Sequence, residues 1–408
     1  MASVEASQLR GSPNRRLAFA VLAASLFAGA CGSGSAQLPL TPTTTPTPLS
    51  QQEQRAQASR WGYDPRTATG ERDPPPQFVE LPPDYHIETY ATGLTQPTAL
   101  AFLPDGRMLV AEQRGTVRVV ENGLVRPEPF FTANVYSPRE ALELGLVGMT
   151  VDPEFEENRH VYLYYTTDEP VRRTVLARVH DTEGIGTDLE EVLSMEIDPP
   201  CCHIAGGLRF APDGMLFVAV GDHQSDRSAQ NRLNPFGSIL RIDRNGDAPP
   251  DNPFVGDGDP RIYAYGLRNP FGLAIDPATG RLFATENGFV GQDAILEIQP
   301  GANYGWPGYD LDVPLEEIAQ PALFYHQAVG PAGIEFYAAD QLPELTGTLL
   351  FCQFHGSALH VVRFDANGNM AEDSIIALAC SSDVLTGPDG FVYFLDVISG
   401  TVHRITRD

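Results

Sequence analysis

The chain has 408 residues, 42% of them apolar and 20% charged, which is the composition of a globular protein and not of a disordered one. All 27 of its basic residues are arginine, against 53 acidic residues, for a formal charge of −26. The missing lysine excludes Schiff-base and pyridoxal-phosphate chemistry and any P-loop, and the acidity argues against nucleic acid or an anionic lipid surface as a partner.

Arg15 and Arg16 precede an apolar stretch of 14 residues, Leu17 to Ala30, that ends in Ala28-Gly29-Ala30-Cys31. Basic residues, a short apolar run and small residues in that order predict an export signal over residues 1–30. The run is too short to span a bilayer as a helix, which needs about 20 residues. Cys31 directly after small residues resembles a bacterial lipobox, so residues 31–83 are expected to be a lipid-anchored linker. Gly32 to Ser35 and the Pro/Thr-rich Leu38 to Ser50 have no hydrophobic periodicity, as expected of an extended, disordered spacer. An exported protein at the cell surface or in the periplasm follows, touching the membrane only through its lipid.

From residue 84 to 408 one unit recurs. Ala99 to Phe102 leads through Pro104-Asp105-Gly106 to Met108–Ala111, and Leu208 to Phe210 leads through Pro212-Asp213-Gly214 to Leu216–Val220. Similar strand–turn–strand units surround Pro153, Pro277, Pro343 and Pro388, at spacings of 45 to 66 residues. Pro-Asp-Gly supplies the fixed φ and the positive-φ residue of a tight turn between strands. Six units of this size with almost no helical periodicity predict an all-β fold, a six-bladed β-propeller of four-stranded antiparallel blades. In such a ring the innermost strands converge on a central channel, and their ends form one mouth where a ligand can sit.

Several segments are similar to the soluble glucose/sorbosone dehydrogenase family, six-bladed propellers that use pyrroloquinoline quinone (PQQ) and calcium. They are Leu144 to Gly148 with Asp152 to Phe155, His203 to Asp222, Ile239 to Asp243, Tyr265 to Pro270, and Pro300 to Pro307. The resemblance covers Tyr85 to Arg407. It implies an oxidoreductase that oxidises the C–OH group of a sugar or polyol and passes electrons to an external acceptor. His203, nine residues before Pro212, matches the histidine that takes the substrate hydroxyl proton, a role that suits an imidazole. Asp222 matches the acid that supports it. Arg268 and Asn269 match the pair that contacts the quinone oxygens, where a donor can stabilise developing negative charge. Glu143 stands where the family has a glutamine or glutamate near the cofactor. Glu286 to Phe289 matches a stretch whose last two carbonyls hold calcium, here Gly288 and Phe289, with Asn287 replacing the usual glutamine.

The pattern departs at the carboxylates of PQQ. The family's lysine and two arginines become His355, Cys380 and Ser382, and burying a trianion without compensating charge costs several kcal/mol. The competing expectation is therefore a non-catalytic ligand-binding propeller, or a Cys/His metal-binding one, with a decayed PQQ site. Once the signal is removed, Cys201, Cys202, Cys352 and Cys380 remain besides Cys31. Four thiols beside His203 and His355 would suit a soft metal, whereas an oxidising compartment favours disulfides, with three connectivities open.

Overall fold

A computed structural model describes residues 76–408 apart from 139–140, 142, 198–201, 290–291, 309–316 and 326–327. The export signal, Cys31, most of the linker and Cys201 lie outside the described residues. Among the described residues no helix is long and apolar enough to cross a membrane.

The chain forms six sheets, each the expected four-stranded antiparallel blade, two of them with a short extra strand. Each of the six turns foreseen from the sequence connects the innermost strand of a blade to its second strand. The innermost strands are Pro97–Phe102, Leu146–Val151, Ala205–Phe210, Pro270–Ile275, Pro331–Tyr337 and Val384–Thr386. In the Pro-Asp-Gly turns the aspartate accepts the N–H two residues on: Arg107 to Asp105 at 3.1 Å, Met215 to Asp213 at 3.0 Å and Phe391 to Asp389 at 3.2 Å. The glycines that follow have φ of 78 to 86°, which an L side chain adopts only under strain.

The second strand of a blade lies between apolar neighbours on both faces. This is why Met108–Glu112, Leu216–Val220, Leu282–Glu286 and Val392–Asp396 are buried at every position. Six apolar clusters fill the gaps between the blades, one for each neighbouring pair around the ring. Leu240 and Val218, for instance, pack against Leu144, Val147 and Tyr164. A core divided in this way explains how about 325 residues fold without a single large interior.

The sixth blade closes the ring. Tyr85–Thr92, near the start of the described chain, pairs antiparallel with Thr401–Arg407 at its end, Tyr85 opposite Arg407 and Thr92 opposite Thr401. A two-residue strand, Gln77–Phe78, precedes the boundary expected at residue 84 and runs parallel to the outermost strand of blade five, Met370–Leu378.

Cys352, at the end of the second strand of blade five, is joined by a disulfide to Cys380 in the connection to blade six, 28 residues away, and both are fully buried. Closing a loop of this length removes unfolded-state entropy worth about 3–4 kcal/mol. Replacing both cysteines by alanine is therefore expected to lower the melting temperature by about 5 °C. An unchanged melting curve would show that the bridge does not form in the protein.

Candidate active site

Among the described residues, Glu143, Cys202, His203, Asp222, Arg268, Asn269, Asn287, Gly288, Phe289, His355, Cys380 and Ser382 lie in connections on one face of the ring, and Cys352 lies in the strand Thr348–Gln353. These connections either enter the innermost strand of a blade or link its second and third strands. Below that face the innermost strands line a channel cavity of about 190 Å³, whose walls include Thr98, Gly206, Arg209, Gly272 and Asp383.

His203 enters blade three with φ of 60°, an uncommon backbone conformation for a side chain to hold. Its backbone is fixed from both sides: its N–H donates to Glu143 Oε2 at 2.6 Å, and its carbonyl accepts from His223 N at 3.2 Å. Gly221 makes this approach possible, since a Cβ there would lie 1.9 Å from the His203 carbonyl oxygen. The His203 imidazole Nδ1 is 2.7 Å from Asp222 Oδ1. Asp222 is fully buried and also accepts from Gln224 N at 2.8 Å and from the Trp306 indole N–H at 2.7 Å. A carboxylate only accepts, so Nδ1 carries the proton. Nε2 is left with a lone pair and has no partner among the described residues, on a side chain that is 11% exposed.

Trp306 carries no role in the sequence reading, although Pro300 to Pro307 is among the segments that carry the resemblance. It is 3% exposed, and its ring lies beneath the Arg268 guanidinium at 5.5 Å and beside Phe289 at 6.2 Å. One indole thus orients the acid of the histidine pair and supports the arginine. A tryptophan flanked by Gly305 and Pro307, in a loop with no strand pattern, is the available sequence signal.

Arg268 and Asn269 enter blade four. The Asn269 side chain accepts from Ala205 N at 3.0 Å and donates to Glu143 Oε2 at 3.1 Å, so Glu143 ties this residue to His203. Arg268 Nη1 donates to the Asn287 carbonyl at 2.9 Å, while its Nε is buried without a partner. Both backbone N–H groups, at 2.8 and 3.0 Å, go to a single oxygen of Glu286, whose second oxygen is buried and unpaired. Burial pushes the Glu286 carboxyl up to about 8 from an ordinary 4.5. Between those values the folded protein holds a proton that the unfolded chain has released, so Glu286 subtracts from stability as pH rises from 4.5 towards 8. Relative to wild type, Glu286→Gln is therefore expected to gain melting temperature from pH 5 to pH 8. A difference that does not change with pH would mean that Glu286 is ionised throughout.

The Asn287 side chain donates to the Pro331 carbonyl at 2.9 Å, which secures the connection into blade five. Gly288 N–H donates to Asp293 at 3.0 Å, and Asp293 also accepts from Val329 and Gly330 at 2.8 Å each, an arrangement that fixes the loop bearing the Gly288 and Phe289 carbonyls. Phe289 is 36% exposed.

The three substituted anchor positions have separate fates. His355 is exposed, in the turn that follows Thr348–Gln353. Ser382 Oγ donates to the Pro97 carbonyl at 2.9 Å and so binds blade six to blade one. Cys380 is in the disulfide with Cys352, which removes both thiols from the four-cysteine metal cluster weighed from the sequence. Burial of two oxidised sulfurs inside the core between blades five and six is the physical reason. Cys202 lies beside His203, and no group of three or more His, Cys, Asp or Glu side chains is placed to hold a metal ion among the described residues.

The sequence profile of the Glucose / Sorbosone dehydrogenase family matches residues 94–404. The chain belongs to this family. An aldose sugar dehydrogenase of Escherichia coli K12 is 30% identical to it over 352 residues, covering 80% of this chain and 94% of that protein. Quinoprotein glucose dehydrogenase B of Acinetobacter calcoaceticus is 28% identical over 278 residues, covering 58% of this chain and 56% of that one. The crystal structure of the soluble aldose sugar dehydrogenase from Escherichia coli, in its apo form, superposes with a TM-score of 0.71 at 27% identity, over 79% of this chain and all of that one. Membership of the glucose/sorbosone dehydrogenases supports an oxidoreductase acting on sugars and disfavours the non-catalytic and metal-binding readings. Polar side-chain atoms of Arg268, Glu286, Gln292 and His223, in or beside the connections of blades three and four, are buried without a hydrogen-bond partner.

Proposed function

We propose that the protein is an exported, lipid-anchored quinoprotein dehydrogenase that oxidises the C–OH group of a sugar or polyol with PQQ and calcium. One observation carries this reading: the His203–Asp222–Trp306 relay leaves a lone pair on Nε2, and Glu143 ties it to Asn269. The donor set fits the reactive end of the cofactor. Arg268 and Asn269 would hold the quinone oxygens, and the Gly288 and Phe289 carbonyls would hold calcium. When bound, the quinone supplies a two-electron hydride acceptor and calcium a Lewis acid that polarises it.

The chain's own residues do the rest. Asp222 keeps the imidazole in the tautomer whose Nε2 accepts a proton, so His203 serves as general base towards the substrate hydroxyl. Asp222 then stabilises the imidazolium that forms, and Trp306 holds the carboxylate in place while charge moves. Arg268 and Asn269 present donors where negative charge develops, on a backbone that Glu286 fixes in advance. With the cofactor bound, an external acceptor outside the cytoplasm would take up the electrons that the substrate loses.

The test is reconstitution of the purified full chain with PQQ and calcium, followed by absorbance titration and dye reduction on a panel of aldoses and polyols. Saturable binding with turnover, abolished by a calcium chelator, is the expected outcome. No binding at micromolar PQQ would sink the reading and leave a propeller that binds a different ligand.

A further inference from the structure

In a chain with about two acidic residues for each basic one, an arginine without a carboxylate partner is informative. On the blade strands and turns the guanidinium groups are mostly paired: Arg241 with Asp213 and Asp251, Arg244 with Asp152, Arg404 with Glu88. Among the described residues, Arg114, Arg172, Arg227 and Arg268 make no ion pair, and all four lie in connections on the mouth face. Arg118 and Arg363, on the blade strands, are the others.

Of the three outside the site already described, Arg172 is the one whose side chain carries a buried nitrogen without a partner. Its guanidinium lies over the Tyr136 ring at 4.0 Å, and its Nε is buried with no partner. Its carbonyl accepts from Ile197 N at 3.0 Å, at the start of the connection that carries His203. Tyr136 belongs to the connection that carries Glu143. Thr166 clamps this connection, donating to the Tyr136 carbonyl at 2.8 Å and accepting from Gly145 N at 2.7 Å. Arg172 is thus held between the two segments that deliver Glu143 and His203 to the mouth. A guanidinium stacked on an aromatic ring loses little freedom on binding and presents a planar fork to a carboxylate.

We propose that Arg172 on Tyr136 is a carboxylate-binding subsite of the mouth, serving a ligand whose anionic group the substituted positions His355, Cys380 and Ser382 do not neutralise. The choice of probes rests on the quinoprotein reading. Two sources share this chemistry, a carboxylate of the quinone cofactor and the carboxylate of a sugar acid.

The experiment is calorimetric titration of the full chain with PQQ, D-glucuronate and D-glucose separately, for wild type, Arg172→Gln and Arg172→Lys, with melting curves as the control for folding. Arg172→Gln is expected to weaken one anionic probe by about 10- to 100-fold and to leave D-glucose unchanged. Arg172→Lys, which keeps the charge and loses the fork, should fall between. Loss confined to PQQ assigns the subsite to the cofactor, and loss confined to D-glucuronate assigns it to the substrate. Equal affinities for both anions in wild type and Arg172→Gln, or no binding of either to wild type, would overturn the proposal and leave the stack a structural contact. If binding depends on Arg172 while no sugar reduces the dye, the subsite stands and the dehydrogenase reading fails.

Discussion

His203→Ala is expected to lower sugar-dependent dye reduction by 10²- to 10⁴-fold, the range over which a positioned general base contributes. The side chain makes one hydrogen bond, to Asp222, and the backbone contacts to Glu143 and His223 do not depend on it. The variant should therefore keep its cofactor affinity, and its melting temperature should move by no more than a few degrees. Steady-state kinetics beside a PQQ titration separate the two effects. Wild-type turnover in the variant would remove His203 from the chemistry, and loss of cofactor binding would recast it as a ligand contact.

Asp222→Asn should cost about as much, by a different route. Three donors converge on this carboxylate: the His203 imidazole, the Gln224 backbone N–H and the Trp306 indole. An amide offers one acceptor oxygen and brings two hydrogens of its own. Whichever way it turns, an N–H faces a donor, and the relief open to the site is for His203 Nδ1 to become the acceptor. The proton then resides on Nε2, which can no longer take the substrate proton. A fall in turnover of about 10³- to 10⁴-fold is expected, with the substrate KM changing little, since the tautomer and not the pocket is altered. A large rise in KM with turnover preserved would show that Asp222 shapes the pocket instead.

The ring was legible in the sequence because its signal is local. Pro104-Asp105-Gly106 and its counterparts set the turn whatever lies around them, and the strands beside them alternate or run apolar according to burial. His203, Asp222 and the Arg268-Asn269 pair were legible through resemblance, in motifs whose spacing survives. What could not be read depends on contacts between blades. The Cys352–Cys380 pairing joins adjacent blades, and no spacing rule separates it from the other connectivities. Trp306 meets Asp222 across 84 residues, and Glu143 meets Asn269 across 126, so neither partner is announced by its neighbours in the chain. Glu286 was read as part of a calcium-binding stretch. Its grip on two backbone N–H groups appears only when blade four is folded against the connection that enters it.

Pairing of Tyr85–Thr92 with Thr401–Arg407 also governs the order in which the protein can be made. Tyr85–Thr92, which completes the sixth blade, is synthesised before the four-stranded parts of blades one to five, and its partner Thr401–Arg407 after them. Blades one to five can assemble from neighbours as the chain lengthens, but Tyr85–Thr92 has no mate until Thr401–Arg407 arrives. Until then a strand edge stays exposed at each end of an open ring, the condition most prone to aggregation in a slowly folding β protein. Deleting Thr401–Arg407 should therefore harm folding yield far more than its few side chains suggest, because it leaves the ring without its closing hydrogen bonds.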